Sequence, residues 1–225
     1  MTKDSRFDVP LFTIDEGARH LGMAASTLRD WTRRMAGDTP LVHRLEPASP
    51  RAASLPFIGV VEAHMLRGFK ELGLTPNELR TAVTQLRHDT KDEYALATKN
   101  VATDGVSLLV NMAGSLAEPP QWVRARDRQG TIAGVIDQYL KFVTWRSPDR
   151  YPLRLTLKAY EGADVIIDPR FAFGQPVLQR EKIRVEDILD AFWAGESYLT
   201  IAGEFGVSTN AVEAVIRSAT RRRAA

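Results

Sequence analysis

The sequence predicts a mainly α chain with a smaller α+β middle, and three observations carry that prediction. Apolar residues recur at helical spacing toward both ends, as in Ile14, Ala18 and Leu21 and in Val185, Ile188, Leu189 and Phe192. Between these stretches the period changes to two, as in Leu153, Leu155 and Leu157 interleaved with Arg154, Thr156 and Lys158. A helix–glycine–helix pattern occurs near the start and again near the end. The 225 residues suffice for about two small domains or one large one. Their patterning divides them into parts at 1–88, 93–160 and 161–225.

In the first part, Ile14, Ala18 and Leu21 share one helical face, Gly22 breaks it as a left-handed turn residue would, and Leu28 and Trp31 mark the inner face of the next helix. A loop with Pro40, Pro47, Pro50 and Pro56 follows, and within it Leu41-Val42-His43-Arg44-Leu45 has the composition of a short strand. A long helix is expected from about Ile58 to Leu72, ended by Gly73. Thr75-Pro76-Asn77-Glu78 then opens another, with proline at the first helical position and an acid in the first turn.

The middle part mixes periods. Val106, Leu108 and Val110 alternate after an Asp104-Gly105 turn signal, whereas Ile132, Val135, Ile136, Tyr139 and Leu140 are helical in spacing. The last part begins with Val165-Ile166-Ile167, closed by the turn signal Asp168-Pro169. A helix through Val185–Phe192, stopped by Gly195, precedes two more at about 197–204 and 209–221.

Composition excludes several functions. The chain has no cysteine, so disulfides, zinc ribbons and thiol nucleophiles are ruled out. No apolar run follows the N-terminal Met1-Thr2-Lys3-Asp4 and none approaches the ~20 residues needed to cross a bilayer, so a cytoplasmic protein without membrane partners is expected. The four histidines, His20, His43, His64 and His88, lie far apart and in no metal-ligand spacing. His20 reads as a surface residue of its helix, and Asp89, Asp92 and Glu93 as a solvated acidic linker. Neither a phosphate-binding glycine loop nor a serine nucleophile elbow occurs. The expectation is a non-enzyme with no catalytic residues, no cofactor and no metal.

The net charge of +2 gives nucleic-acid binding no support by itself, so any such reading rests on local patterning. The informative pattern is repeated. Ala18, Leu21, Gly22, Met23, Leu28 and Trp31 match Ala202, Phe205, Gly206, Val207, Val212 and Val215 in spacing. Two short helices crossing steeply need a small residue where they touch and a glycine at the turn, while the later apolar positions fix the second helix and leave its other face outward. In the first copy that outward face carries Ser26, Thr27, Arg29, Arg33 and Arg34. Arginine makes bidentate contacts to guanine, hydroxyls contact phosphate, and the four-residue spacing of Arg29 and Arg33 places both on one side of a continuing helix. In the second copy the same face carries Asn210, Glu213 and Arg217, with Arg221-Arg222-Arg223 beyond. Residues 164–225 hold 8 Lys/Arg and 9 Asp/Glu, a net of −1, which is a poor surface for DNA apart from the tail.

These residues resemble known families. Phe12-Thr13-Ile14-Asp15-Glu16-Gly17-Ala18, Leu21-Gly22, Ser26-Thr27-Leu28-Arg29, Trp31 and the stretch Phe69–Arg80 resemble the MerR-like winged helix-turn-helix. Two departures are Ala24, where that family often has a helix-capping serine, and the segment 40–56, which is longer and richer in proline than a tight wing. The last part, through Ile167-Asp168-Pro169, Gly174-Gln175-Pro176-Val177, Ile183-Arg184-Val185, Ala194-Gly195-Glu196-Ser197 and Ala211-Val212-Glu213-Ala214, resembles a small helix-turn-helix domain of unknown function associated with VapB-type antitoxins. Together the two resemblances imply a long antitoxin of a type II toxin–antitoxin pair. Such an antitoxin neutralises a PIN-like ribonuclease toxin, represses its own operon by binding operator DNA and acts as a homodimer. They imply a DNA-reading role for Ser26, Thr27, Arg29, Arg33 and Arg34 alone. A MerR-like transcriptional regulator with a ligand-sensing middle and no toxin partner stands as the alternative.

Overall fold

The structure is a computed structural model that describes residues 4–34, 39–101, 105, 107 and 128–223. The expected mainly α architecture with a small antiparallel sheet is observed. The chain forms two compact units, each built from separated segments: Met1–Thr27, Leu45–Phe57 and Arg154–Ala225 in one, Leu28–Arg44 and Ile58–Leu153 in the other.

In the first unit, α1 (Ser5–Asp8) leads into β1 (Pro10–Phe12), which pairs antiparallel with β2 (Leu55–Pro56). Next comes α2 (Ile14–Leu21), capped by Thr13. Later segments supply β4 (Pro152–Thr156), whose last three residues belong to this unit, β5 (Val165–Ile167) and β6 (Val177–Leu178), consecutive antiparallel strands with Leu155 opposite Ile167 and Ile166 opposite Val177. Val165, Ile166 and Ile167 are all fully buried, which explains why this strand reads as a continuous apolar run. Asp168 turns the chain as expected, its carboxylate accepting from the Arg170 amide at 3.0 Å. Three helices complete the unit and pack on one another: α7 (Val185–Trp193), α8 (Tyr198–Phe205) and α9 (Thr209–Arg223).

The second unit holds the end of α3 (Ala25–Trp31), most of α4 (Phe57–Glu71), then α5 (Pro76–Thr90), a 3₁₀ turn at Ala95–Ala97, α6 (Arg128–Leu140) and β3 (Val143–Trp145). α4 is buried nearly all round, as its weak amphipathicity requires. α5 opens on a reciprocal capping box between Thr75 and Glu78, with Pro76 where its missing N–H costs nothing. Tyr139 of α6 lies over Gly68 of α4, where a Cβ would stand 3.0 Å from the ring, and its hydroxyl donates to Glu71.

Several expectations are corrected. Leu41–Leu45 forms no strand: the Val42 amide donates to the Trp31 carbonyl at 3.0 Å, and the carbonyls of Pro40 and Leu41 accept from Arg87 at 2.8 and 3.1 Å, leaving no ladder to join. Asp92 is not solvated linker but 6% exposed, accepting from the Tyr151 hydroxyl at 3.0 Å and pairing with Arg150 at 3.2 Å. His20 is half-buried, with Nδ1 3.1 Å from the Tyr160 hydroxyl and its ring 5.0 Å from that of Phe12. Gly105 is helical rather than a hairpin turn, set against Phe69 so closely that a Cβ would stand 3.2 Å from the ring. The strand expected at Val106, Leu108 and Val110 lies outside the described residues, as do the side chains of Ile132 and Arg221–Arg223.

Candidate nucleic-acid interface

The N-terminal motif is built by local rules. Thr13 accepts from the Glu16 amide at 3.2 Å while Glu16 accepts from the Thr13 amide at 2.8 Å, so two of the orphan donors at the start of α2 are satisfied. α2 ends at Gly22, φ 66°, whose N–H and that of Met23 return to the carbonyls of Arg19 and Ala18. Such a left-handed cap suits glycine, which has no Cβ to clash. The C-terminal motif repeats the device. α8 ends at Gly206, φ 64°, and the Val207 amide returns to the Ala202 carbonyl at 3.0 Å. Ala18 and Ala202 are buried, as are Leu28 and Val212 after each turn.

The two following helices differ in what they offer. On α3, Ser26 and Arg29 are exposed, Thr27 is half-buried, and Leu28 and Trp31 point inward. Arg33 and Arg34 are exposed but follow the helix rather than extend it. α3 stops at Trp31, where the buried Thr32 hydroxyl donates to the Arg29 carbonyl at 3.0 Å, so the four-residue spacing does not place Arg29 and Arg33 on one helical face. Arg33 instead lies 3.4 Å from Asp30. On α9, Asn210, Glu213 and Arg217 are exposed, but Arg217 is tied to Glu213 at 3.2 Å, which neutralises the surface offered to phosphate.

Behind the chain that leaves α3 lies a network the sequence reading did not single out. Glu62, fully buried in α4, accepts from the His43 amide and from His43 Nδ1, each at 2.8 Å, and from Arg87 at 3.4 Å. Arg87 also donates to the Pro40 and Leu41 carbonyls, so one buried acid fixes residues 40–43 through two partners. The signal was present as a single acid within Ile58-Gly59-Val60-Val61-Glu62-Ala63, since a carboxylate on an otherwise apolar helix face needs a partner.

Residues 10–83 match a family model described as "Putative DNA-binding HTH domain", which covers α2, α3, α4 and half of α5. Residues 165–218 match a second, a protein of unknown function family, DUF433. A protein of Mycobacterium tuberculosis named "Putative antitoxin VapB45" is 30% identical over 219 residues, spanning 90% of this chain and 91% of the relative. The chain belongs to the VapB-type antitoxin family. The fold agrees: the crystal structure of Rv2018 from M. tuberculosis superposes with a TM-score of 0.77 at 27% identity, covering 94% of this chain and 99% of that one. For this VapB-type chain, the resemblances to a helix-turn-helix at the N-terminus and to an antitoxin-associated domain at the C-terminus therefore hold. Among the described residues no helix is long and apolar enough to cross a membrane.

Proposed function

We propose that this chain is a cytoplasmic antitoxin that neutralises a PIN-like ribonuclease toxin and, as a homodimer, represses its own operon by reading operator DNA with α3. The observation that carries the reading is the 30% identity over nine-tenths of the chain to a protein named an antitoxin, joined to an N-terminal helix-turn-helix with exposed arginines. Ser26, Thr27 and Arg29 meet the groove from the helix, and Arg33 and Arg34, just beyond it, meet the backbone phosphates. The protein acts by binding rather than by catalysis.

The test is co-expression with the product of the adjacent gene. Toxicity of the neighbour alone, growth rescue by this chain and co-purification support the antitoxin reading. A harmless neighbour with no complex refutes it, and leaves a MerR-like regulator without a toxin. DNA reading is tested separately by titrating promoter fragments: Arg29→Ala is expected to weaken operator binding by about 1–3 kcal/mol, and unchanged affinity removes α3 from the interface.

A further inference from the structure

Two helices of the first unit each turn a second face toward a common cleft. On α2, Gly17, Ala18 and Leu21 are buried in the N-terminal motif, and the neighbouring face carries Glu16, Arg19 and His20, spaced three and four apart. On α7, Glu186, Leu189 and Trp193 follow the same kind of spacing. These two faces, with Gln175 and Pro176 just before β6, line a cleft of about 210 Å³. A cavity of about 150 Å³ takes up a benzene molecule, so this one has room for a body of that size with a short polar head.

The lining offers two chemistries. Its apolar side is formed by buried Pro176 and Val185, half-buried Leu189 and the Trp193 indole, which is 47% exposed. Its charged side holds one cation and two acids that are not paired with one another. Among the described residues Arg19 has no ion-pair or hydrogen-bond partner for its guanidinium. Glu186 lies 3.6 Å from Arg184, but that guanidinium is held closer by Asp187, at 3.1 Å. Glu16 uses Oε2 to cap α2 through the Thr13 amide and hydroxyl.

We infer that this cleft binds a free amino acid with a large apolar side chain: its carboxylate on Arg19, its ammonium on Glu186 and its side chain against Leu189 and Trp193. Charge selects the class. A purely anionic ligand suits Arg19 but meets two carboxylates, and a purely cationic one suits the carboxylates but meets Arg19. A zwitterion answers both signs with charge-assisted hydrogen bonds, the guanidinium being able to hold a carboxylate at two points. The interior of a peptide carries neither terminal charge, so the occupant is a free amino acid rather than a chain segment. The site exists only where the two family-matched segments meet. Glu16 and Arg19 come from the helix-turn-helix match and Glu186, Leu189 and Trp193 from the second. A ligand held there ties the first helix of the N-terminal motif to the C-terminal helices. This inference goes beyond the toxin and operator readings and depends on neither.

Isothermal titration of the full chain with L-phenylalanine tests it, with glycine, phenethylamine and 3-phenylpropionate as comparators that lack the apolar body, the carboxylate and the ammonium in turn. Phenylalanine is expected to bind saturably at submillimolar concentration, and each comparator to bind weaker by about tenfold or more. Arg19→Gln is expected to bring phenylalanine down to the affinity of phenethylamine, and Glu186→Gln to that of 3-phenylpropionate. Both side chains are exposed, so the variants are expected to keep the parent's circular dichroism spectrum and Tm. No saturable binding of phenylalanine up to about 10 mM overturns the site. A comparator as tight as phenylalanine, or an Arg19→Gln protein as tight as the parent, overturns the zwitterion. A chain that rescues growth from its neighbour's toxicity yet binds no amino acid loses this inference and keeps the antitoxin reading.

Discussion

Replacing Glu62 by alanine removes the one acceptor that three donors share inside the second unit. The side chain is fully buried, it accepts from the half-buried His43 amide at 2.8 Å, and Arg87 is only 12% exposed. Each buried donor left without a partner costs about 1–3 kcal/mol, and breaking a buried charged pair from one side costs about 3–5 kcal/mol. Arg87 keeps the Pro40 and Leu41 carbonyls, so the lower end of that range applies and about 3 kcal/mol is expected. For a chain of this size that lowers Tm by about 10 °C, at about 2–4 °C per kcal/mol. Urea unfolding followed by circular dichroism measures it. The double variant Glu62→Leu with Arg87→Leu is expected to recover most of the loss, because an apolar pair has no orphaned charge. A single variant within about 1 kcal/mol of the parent, or a double variant no better than the single, would refute the argument that burial without a partner sets the cost. Operator binding by Glu62→Ala is expected to weaken too, since residues 40–43 restrain the chain leaving α3.

Three further outcomes follow from the geometry. Gly206→Ala meets no atom within 4 Å, so its cost is conformational alone, about 1 kcal/mol or more, read as a lowered Tm. Burial, and secondarily the hydrogen bond to Asp92, pushes the Tyr151 hydroxyl from 10.0 up to about 12. The folded form therefore holds its proton longer than the unfolded one, so this stabilisation is complete below pH 10 and lost as pH climbs through 12. Tyr151→Phe is expected to flatten the pH dependence of unfolding in that window, and an unchanged slope would contradict it. Arg217→Ala on α9, already neutralised by Glu213, is expected to leave operator affinity unchanged, in contrast to Arg29→Ala on α3; equal losses in the titration would assign DNA reading to both motifs.

The elements that were legible in the sequence are those set by local chemistry. The helix opening at Thr75, the turn glycines Gly22 and Gly206 and the apolar strand Val165–Ile167 each stand where period and turn residues placed them. What escaped was set by partners distant along the chain. Leu41–Leu45 looks like a strand until Arg87, more than forty residues on, takes its carbonyls. Asp92 looks solvated until Tyr151 and Arg150 close over it. For the candidate site, the residue types on α3 were readable, but the early end of that helix was not. Thr32 is a weak helix former with nothing in its immediate neighbours to announce a stop, and its hydroxyl bond to Arg29 shows only in three dimensions.

The interleaving of the two units has a consequence for synthesis. β1 and α2 belong with Arg154–Ala225, and Leu11 finds Gly174 and Gln175 while His20 finds Tyr160. Those partners leave the ribosome only after the whole intervening segment, a delay on the order of ten seconds at roughly 5–20 residues per second. A nascent or prematurely ended chain therefore carries the first helix of its helix-turn-helix without the surface that seats it. If the chain represses its operon as proposed, repression would begin only when translation has finished, and complete messages would be the unit in which its expression is counted.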